Sequence, residues 1–298
     1  MAKPRSPLSK WLLRKLGYPA EAVLVHGANA LFRSLPLDRA SALGGWIGRA
    51  VGPRLSGSRT ARRNLTRAFP EKSPAEVETI LLGMWDNLGR TVAEYPHLDR
   101  IGAERVEVIG GEHADALRDD GKGGIIVGGH LGNWEVQTIA ARKRGLEVAV
   151  IYRAPNNPYV DDLLVALRGA ATDTQIPKGP KGARALLRLL ADGGHVGMLI
   201  DQKMNDGIPV PFFGRDAMTA PAAAQLSLRF GIPLCVVFTE RLNGANFRVT
   251  VLPPQACPTS GDRNADSRIL MERLNRVLED WIRERPSQWM WLHRRWPD

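Results

Sequence analysis

From Val106 onward the sequence alternates short strand-type apolar runs with segments of helical period, and this alternation constrains the fold more than any other feature. Val106 to Ile109, Gly124 to Gly128, Val148 to Tyr152, Val196 to Ile200 and Leu234 to Thr239 read as strands. Helices are expected near Glu112 to Leu117, from Trp134 to Arg142, after Asn157-Pro158, from Gly179 to Leu190 and from Ala220 to Phe230, the last two stopped by Gly193 and Gly231. Strands separated by helices pair through crossovers, which gives an α/β fold with a largely parallel sheet flanked by helices. Asn243-Gly244 is a hairpin turn that returns the chain through Phe247 to Leu252, so the sheet is expected to be mixed at one edge. A long helix covers Asp266 to Arg285.

Upstream the pattern is helical. Residues 1 to 57 have turns at Gly17-Tyr18-Pro19 and Gly52-Pro53. Ser58 to Phe69 is a basic helix with Arg59, Arg62, Arg63 and Arg67, ended by Pro70. Ser73-Pro74-Ala75-Glu76 is a capping box that starts a helix running to about Glu94. The expected division is a helical segment 1–57, followed by a domain over 58–298.

Four of the strands end in polar residues: His130, Arg153, Asp201-Gln202 and Thr239-Glu240-Arg241. Ligands of open parallel sheets bind beyond the carboxyl ends of the strands, so His130, Arg153 and Asp201 are candidates for one site. The stretch Ile125 to Glu135 is the most informative. A buried strand breaks at Gly128-Gly129, His130 stands at the break, and Asn133 is placed to cap the helix that follows. On one continuous helix His130 and Glu135 would point about 140° apart. They meet only if His130 lies in the loop and folds back over the helix start. A histidine held by a carboxylate is a general base. No G-x-S-x-G elbow supplies a nucleophile, so such a base would activate a hydroxyl or amine of a substrate. Each residue also has a plain structural reading: a loop histidine, a carboxylate that complements the helix dipole, a polar cap at Asp201-Gln202, and Phe212-Phe213-Gly214 as core.

Composition narrows the partners. The net charge of +10 and pI of about 10.0 call for an acidic partner: anionic lipid, phosphorylated substrate, acidic protein or nucleic acid. The two cysteines, Cys235 and Cys257, lack metal spacing; Cys235 lies in an apolar run and reads as a reduced, buried thiol rather than half of a disulfide. There is no H-E-x-x-H, P-loop or dinucleotide fingerprint. The basic N-terminus (Lys3, Arg5, Lys10, Arg14, Lys15) with Trp11 suits either a membrane surface or packing on the domain. Trp289-Met290-Trp291-Leu292-His293-Arg294-Arg295-Trp296 mixes aromatic and cationic residues, which suits a membrane interface with Arg294 and Arg295 meeting phosphate. Single-stranded nucleic acid takes similar mixtures, but no RNA-binding signature accompanies this one.

His130-Leu131-Gly132-Asn133-Trp134-Glu135 resembles the H-x4-(D/E) motif of glycerolipid and lipid A acyltransferases, and its Gly-Asn-Trp-Glu ending is similar to the lauroyl/myristoyl late acyltransferases of lipid A biosynthesis. Further matches follow in family order: Arg63-Asn64-Leu65, Ala68-Phe69-Pro70-Glu71, Tyr152-Arg153 with Asn157-Pro158, Asp201-Gln202, Val210-Pro211-Phe212-Phe213-Gly214 with Thr219, and Gln288 to Trp296. Together they run from about residue 59 to the end. Leu131 replaces the family's phenylalanine, and the proline that usually follows the arginine is displaced to Pro155. The first fifty residues match poorly.

The resemblance implies a glycerolipid-acyltransferase-like fold. The reaction it implies moves an acyl chain from acyl carrier protein to a hydroxyl of a lipid A precursor, at the cytoplasmic face of the inner membrane. His130 would be the base and Glu135 its orienting partner. Arg153 would bind phosphate or the oxyanion, and Asp201 would shape the site or hold Arg153. Gln202, Asn133, Arg294 and Arg295 would join the substrate-binding set. No metal or other cofactor is called for, and no nucleic acid is expected. Acylation of another membrane lipid (a lysophospholipid, ornithine lipid or sugar lipid), hydrolysis with water as acceptor, and a non-catalytic lipid- or nucleic-acid-binding protein are the competing readings.

Overall fold

Residues 13–296 are described in a computed structural model. Lys3, Arg5, Lys10 and Trp11 lie outside them. The chain opens with helices α1 (Tyr18–Ser34), α2 (Leu37–Val51), α3 (Gly57–Ala68), α4 (Pro74–Glu94) and α5 (Leu98–Glu104). The capping box is formed: Ser73 Oγ accepts the Glu76 backbone N–H at 3.3 Å, and the Glu76 carboxylate accepts the Ser73 N–H at 2.8 Å. Helices α2 and α4 pack closely because small residues face each other; a Cβ at Gly48 would stand 2.0 Å from the Trp85 carbonyl oxygen.

The α/β part follows as β1 (Val106–Ile109), α6 (Gly111–Asp119), β2 (Gly124–Gly128), α7 (Glu135–Lys143), β3 (Val148–Tyr152), α8 (Pro158–Arg168), β4 (Gln175–Pro177), α9 (Pro180–Ala191) and β5 (His195–Leu199). Then come β6 (Lys203–Phe212), β7 (Arg215–Thr219), α10 (Ala222–Phe230), β8 (Leu234–Arg241), β9 (Phe247–Val251) and α11 (Arg263–Glu284). Seven strands form one sheet in the order β1-β9-β8-β2-β5-β3-β4. All neighbours are parallel except β8 and β9, the expected hairpin. β6 and β7 form a separate antiparallel ribbon, turned at Phe213-Gly214 where both residues have positive φ (52° and 67°).

The sheet is buried on both faces, as a central parallel sheet must be. Ile125 and Val127 of β2 and Val236 and Phe238 of β8 point into a core shared with α9, α10 and α11. Ile126, Cys235 and Val237, one residue out of step, pack on the other face against α6 and α7. Both cysteines are free thiols, and burial pushes the Cys235 thiol up to about 11.

The C-terminal aromatic run is part of the core and not a membrane-facing surface. Trp289, Trp291 and Trp296 are buried, stacked edge-on and face-on with Phe212 and Phe213. Their spacing explains this: Trp289 and Trp291 alternate inward along an extended segment that pairs with Leu131.

Candidate active site

Strand β2 ends at Gly128, and the chain then turns through Gly129 to Trp134 before α7 begins. Gly132, at φ 55°, makes the turn possible, since a Cβ there would stand 2.6 Å from the Thr239 carbonyl oxygen. The C-terminal segment braces the turn: Gly132 N–H donates to Gln288 O and Met290 N–H to His130 O, both at 3.1 Å. Asn64 of α3 in turn pins that segment, donating to Trp291 O at 2.8 Å and His293 O at 2.6 Å.

Strand β5 lies beside β2 and delivers Asp201 just past its own end. Asp201 Oδ1 stands 2.7 Å from His130 Nδ1. Its Oδ2 accepts two donors, the His130 backbone N–H at 2.7 Å and the Trp289 indole N–H at 2.8 Å. Asp201 is 3% exposed. Burial alone would disfavour its charge, but attraction to the His130 ring and the hydrogen bonds from His130 and Trp289 outweigh that and hold the carboxyl well below the usual range. An ionised carboxylate only accepts, so Nδ1 carries the ring proton and Nε2 is left as the acceptor. Gln202 Nε2 lies 3.4 Å from that nitrogen, and the Trp134 ring meets the imidazole edge-on at 5.0 Å.

Glu135 does not reach His130. Its carboxylate accepts Arg168 Nε at 3.0 Å and Arg168 Nη2 at 2.8 Å, the Tyr95 hydroxyl at 2.6 Å and the Trp134 indole N–H at 3.1 Å. The direct His130–Glu135 contact expected from the motif is therefore replaced by His130–Asp201. His130 sits at the end of β2 next to β5, whereas Glu135, in the first turn of α7, faces α8. Burial opposes the charge on Arg168, but Glu135 and Tyr95 more than offset it and hold the guanidinium protonated. Burial, then Glu135, pushes the Tyr95 phenol well above its usual value.

Asn133 is fully buried and serves the loop. Its Oδ1 accepts the Glu135 N–H at 3.3 Å, although helix α7 takes Trp134 as its capping position. Its Nδ2 donates to Glu94 Oε2 at 2.9 Å. Glu94, also fully buried, accepts Ser41 Oγ at 2.7 Å and pairs with Arg241. Arg241 Nε donates to Asn87 Oδ1 at 2.8 Å, and Asn87 Nδ2 donates to Gly132 O at 2.9 Å. This network ties α2, α4 and the end of β8 to the loop that carries His130.

The remaining expected residues are distributed differently. Arg153 is exposed at the end of β3, but β5 separates β3 from β2, so the two strand ends are second neighbours. Arg294 is exposed. Arg295 is fully enclosed: it donates to Met218 O at 3.0 Å and Thr219 Oγ1 at 2.8 Å, and burial lowers its pKa to about 10. A substrate does not reach it there, because Phe212 and the β6–β7 ribbon cover it. Arg168, Tyr95 and Glu94 carry no motif signal, whereas Arg241 is one of the polar residues that end a strand, and its role in bracing the His130 loop comes only from packing. Trp289 did carry one, in the alternating tryptophans of an extended segment.

An α/β sheet that presents, at its strand ends, an imidazole oriented by a buried carboxylate has the arrangement of a general base. The sequence profile of bacterial lipid A biosynthesis acyltransferases matches residues 7–298, and the chain belongs to that family. It is 26% identical over 250 residues to the lipid A biosynthesis lauroyltransferase of Escherichia coli K12, covering 80% of this chain and 78% of that protein. It is 25% identical to the lipid A biosynthesis palmitoleoyltransferase of the same organism, over 90% of this chain and 88% of that protein. A similar likeness, 25% over 89% of this chain and 88% of the other, links it to the phosphatidylinositol mannoside acyltransferase of Mycolicibacterium smegmatis. The protein is an O-acyltransferase.

Proposed function

We propose that the protein transfers a fatty acyl chain from acyl carrier protein thioester to a hydroxyl of a lipid A precursor, at the cytoplasmic face of the inner membrane. The observation that carries this reading is the Asp201–His130 hydrogen bond, which makes Nε2, with only the Gln202 amide beside it at 3.4 Å, the nitrogen that accepts the hydroxyl proton. The alkoxide oxygen attacks the thioester carbonyl, the C–S bond breaks, and the proton passes from Nε2 to the departing thiolate. The products are an ester and the free thiol of the carrier. Asp201 orients the ring and stabilises the imidazolium. Glu135, held by Arg168 and Tyr95, fixes the start of α7 beside the reacting centre, and Gln202, Arg153 and Arg294 contribute polar contacts for substrate. Residues 1–57 serve as the membrane-associating segment and 58–298 as the catalytic domain. A phosphorylated glycolipid and an acidic carrier both suit a chain of net charge +10.

The mycobacterial relative, named for another glycolipid, supports a second acceptor class. Purified protein incubated with labelled acyl carrier protein and a panel of lipid A precursor, phosphatidylinositol mannoside and lysophospholipid discriminates them. Mass spectrometry of lipid A from cells with and without the gene tests the acceptor in place; an unchanged acyl pattern refutes lipid A as the substrate.

A further inference from the structure

A second histidine stands beside the site. His293, in the C-terminal segment, is half-buried. That segment runs along the His130 loop: Trp289 reaches Asp201 with its indole, and the Met290 N–H donates to His130 O. Further on, the His293 carbonyl is pinned by Asn64 Nδ2 at 2.6 Å. The His293 ring meets the chain that links β5 to β6, where the Lys203 backbone N–H donates to Nδ1 at 3.2 Å. Two imidazoles therefore contact one tripeptide. His130 holds Asp201 through Nδ1 and has the Gln202 amide beside Nε2, and His293 holds Lys203. From Asp201 to Lys203 the chain spans at most about 7 Å, so both rings belong to one strand-end site. His293 accordingly feels the charges of both Asp201 and His130.

The tautomer of this second ring follows from its one bond. A backbone N–H only donates, so Nδ1 accepts and the neutral ring carries its proton on Nε2. Burial is the main influence on the ring and lowers its pKa; Asp201 opposes this, while His130, Arg295 and Lys178 add to it. The ring is therefore neutral at pH 7. Among the described residues no group hydrogen-bonds Nε2. The two rings are thus of opposite polarity: His130 offers an acceptor and His293 a donor. Acyl transfer needs both, because negative charge moves onto the acyl carbonyl oxygen while the hydroxyl loses its proton. Asp201 and Glu135, as carboxylates, cannot supply that donor.

We infer that His293 is a further catalytic residue, whose Nε2–H donates to the acyl carbonyl oxygen as the substrate oxygen adds to the carbonyl carbon. The C–O bond forms, the carbonyl π pair moves onto the oxygen facing His293, and it returns when the C–S bond breaks. His293 keeps its proton throughout; the hydroxyl proton travels by way of His130 alone. A neutral imidazole suits the task, since it stabilises an oxyanion as a hydrogen-bond donor. An imidazolium in its place would repel His130 as that ring takes up its own proton. The inference rests on the general-base reading of His130 and holds for any acceptor hydroxyl.

Two substitutions in the full chain divide the ring. His293→Asn keeps an acceptor near the Nδ1 position for the Lys203 N–H and has nothing at Nε2. His293→Gln brings an amide NH2 near the Nε2 position and gives up the Lys203 bond. The assay is steady-state transfer from labelled acyl carrier protein to lipid A precursor, with thermal melting by circular dichroism to confirm the fold. His293→Asn should lose roughly 10²–10³-fold in kcat with KM little changed, as His293→Phe does, and His293→Gln should recover about tenfold or more of that loss. A residue that only braces Lys203 gives the reverse order: His293→Asn within a few-fold of wild type overturns the inference. A second measurement needs no turnover. ¹⁵N NMR of the imidazoles should show His293 neutral with its proton on Nε2 at pH 7; an Nδ1–H tautomer or an imidazolium overturns the inference. A wild type that does not turn over this substrate pair refutes the proposed donor or acceptor instead, and the NMR result then decides the role of His293 by itself.

Discussion

Replacing Asp201 by asparagine probes the site at its most constrained atom. The oxygen Oδ2 accepts two buried N–H groups, from His130 and Trp289. An amide at this position keeps both bonds only if its carbonyl oxygen takes the Oδ2 place, which points its NH2 at His130 Nδ1. Nδ1 must then accept, so the ring proton moves to Nε2, the nitrogen the substrate needs free. Turning the amide over to restore the tautomer leaves two buried donors facing an NH2, at about 1–3 kcal/mol each. The wrong tautomer is therefore favoured by roughly 2–6 kcal/mol, which corresponds to a loss in kcat of about 30-fold to 10⁴-fold. The assay is steady-state acyl transfer from labelled acyl carrier protein, with ¹⁵N NMR of the imidazole reporting the tautomer. In a Trp289→Phe background one of the two donors is gone, so Asp201→Asn should cost distinctly less than it does alone. An Asp201→Asn enzyme within a few-fold of wild type, or one that retains the Nδ1–H tautomer, refutes the reasoning.

Other consequences can be checked in the same material. His130→Ala should lower transfer by roughly 10²–10⁴-fold with an unchanged circular dichroism spectrum. Arg168→Ala leaves the buried Glu135 carboxylate without its cation and should cost about 3–5 kcal/mol in urea-unfolding stability; a loss well under 1 kcal/mol would show that Glu135 is hydrated there. Because Glu135 and His130 share no hydrogen bond, the rate losses of Glu135→Gln and His130→Ala should multiply, and strong sub-additivity would restore a direct pair. Asp201 has a folded-state pKa below its unfolded value of about 3.9, so its contribution to stability is present above that pH and is lost as pH falls through the folded value. Urea titrations of wild type and Asp201→Asn should therefore converge as the pH is lowered from 5 toward 2.

Six of the seven strands of the main sheet are legible in the sequence, β2 and β8 most clearly because they are buried on both faces and so form unbroken apolar runs; the three-residue edge strand β4 is too short to leave a pattern. Their order was not legible. The apolar period of β3 is the same whichever strand lies beside it, so nothing in it shows that β5 separates the ends that carry Arg153 and His130. The β6–β7 ribbon has no strand signature in the sequence because β6 carries Asn205, Asp206, Pro209 and Pro211, and only its last residues alternate in burial. In the site, the glycines around His130 marked the loop, and the capping residue and helix start were readable to within a residue. The partner of the ring was not, because Asp201 is 71 residues away and comes alongside only through strand pairing. Glu135 is the carboxylate close in sequence; Arg168 and Tyr95, which occupy it, lie on elements whose packing no local pattern encodes.

The position of β5 between β2 and β3 has a bearing on folding order. β2 and β3 follow one another in the sequence but do not pair; β5, synthesised later, lies between them and pairs with both. Non-local insertions of this kind are slow, because loop closure is completed before the contacts that reward it. His130 acquires Asp201 only at that insertion. A chain that has collapsed with β2 and β3 side by side holds a loose imidazole and no base, so the onset of acyl transfer during refolding should mark the moment the centre of the sheet is complete.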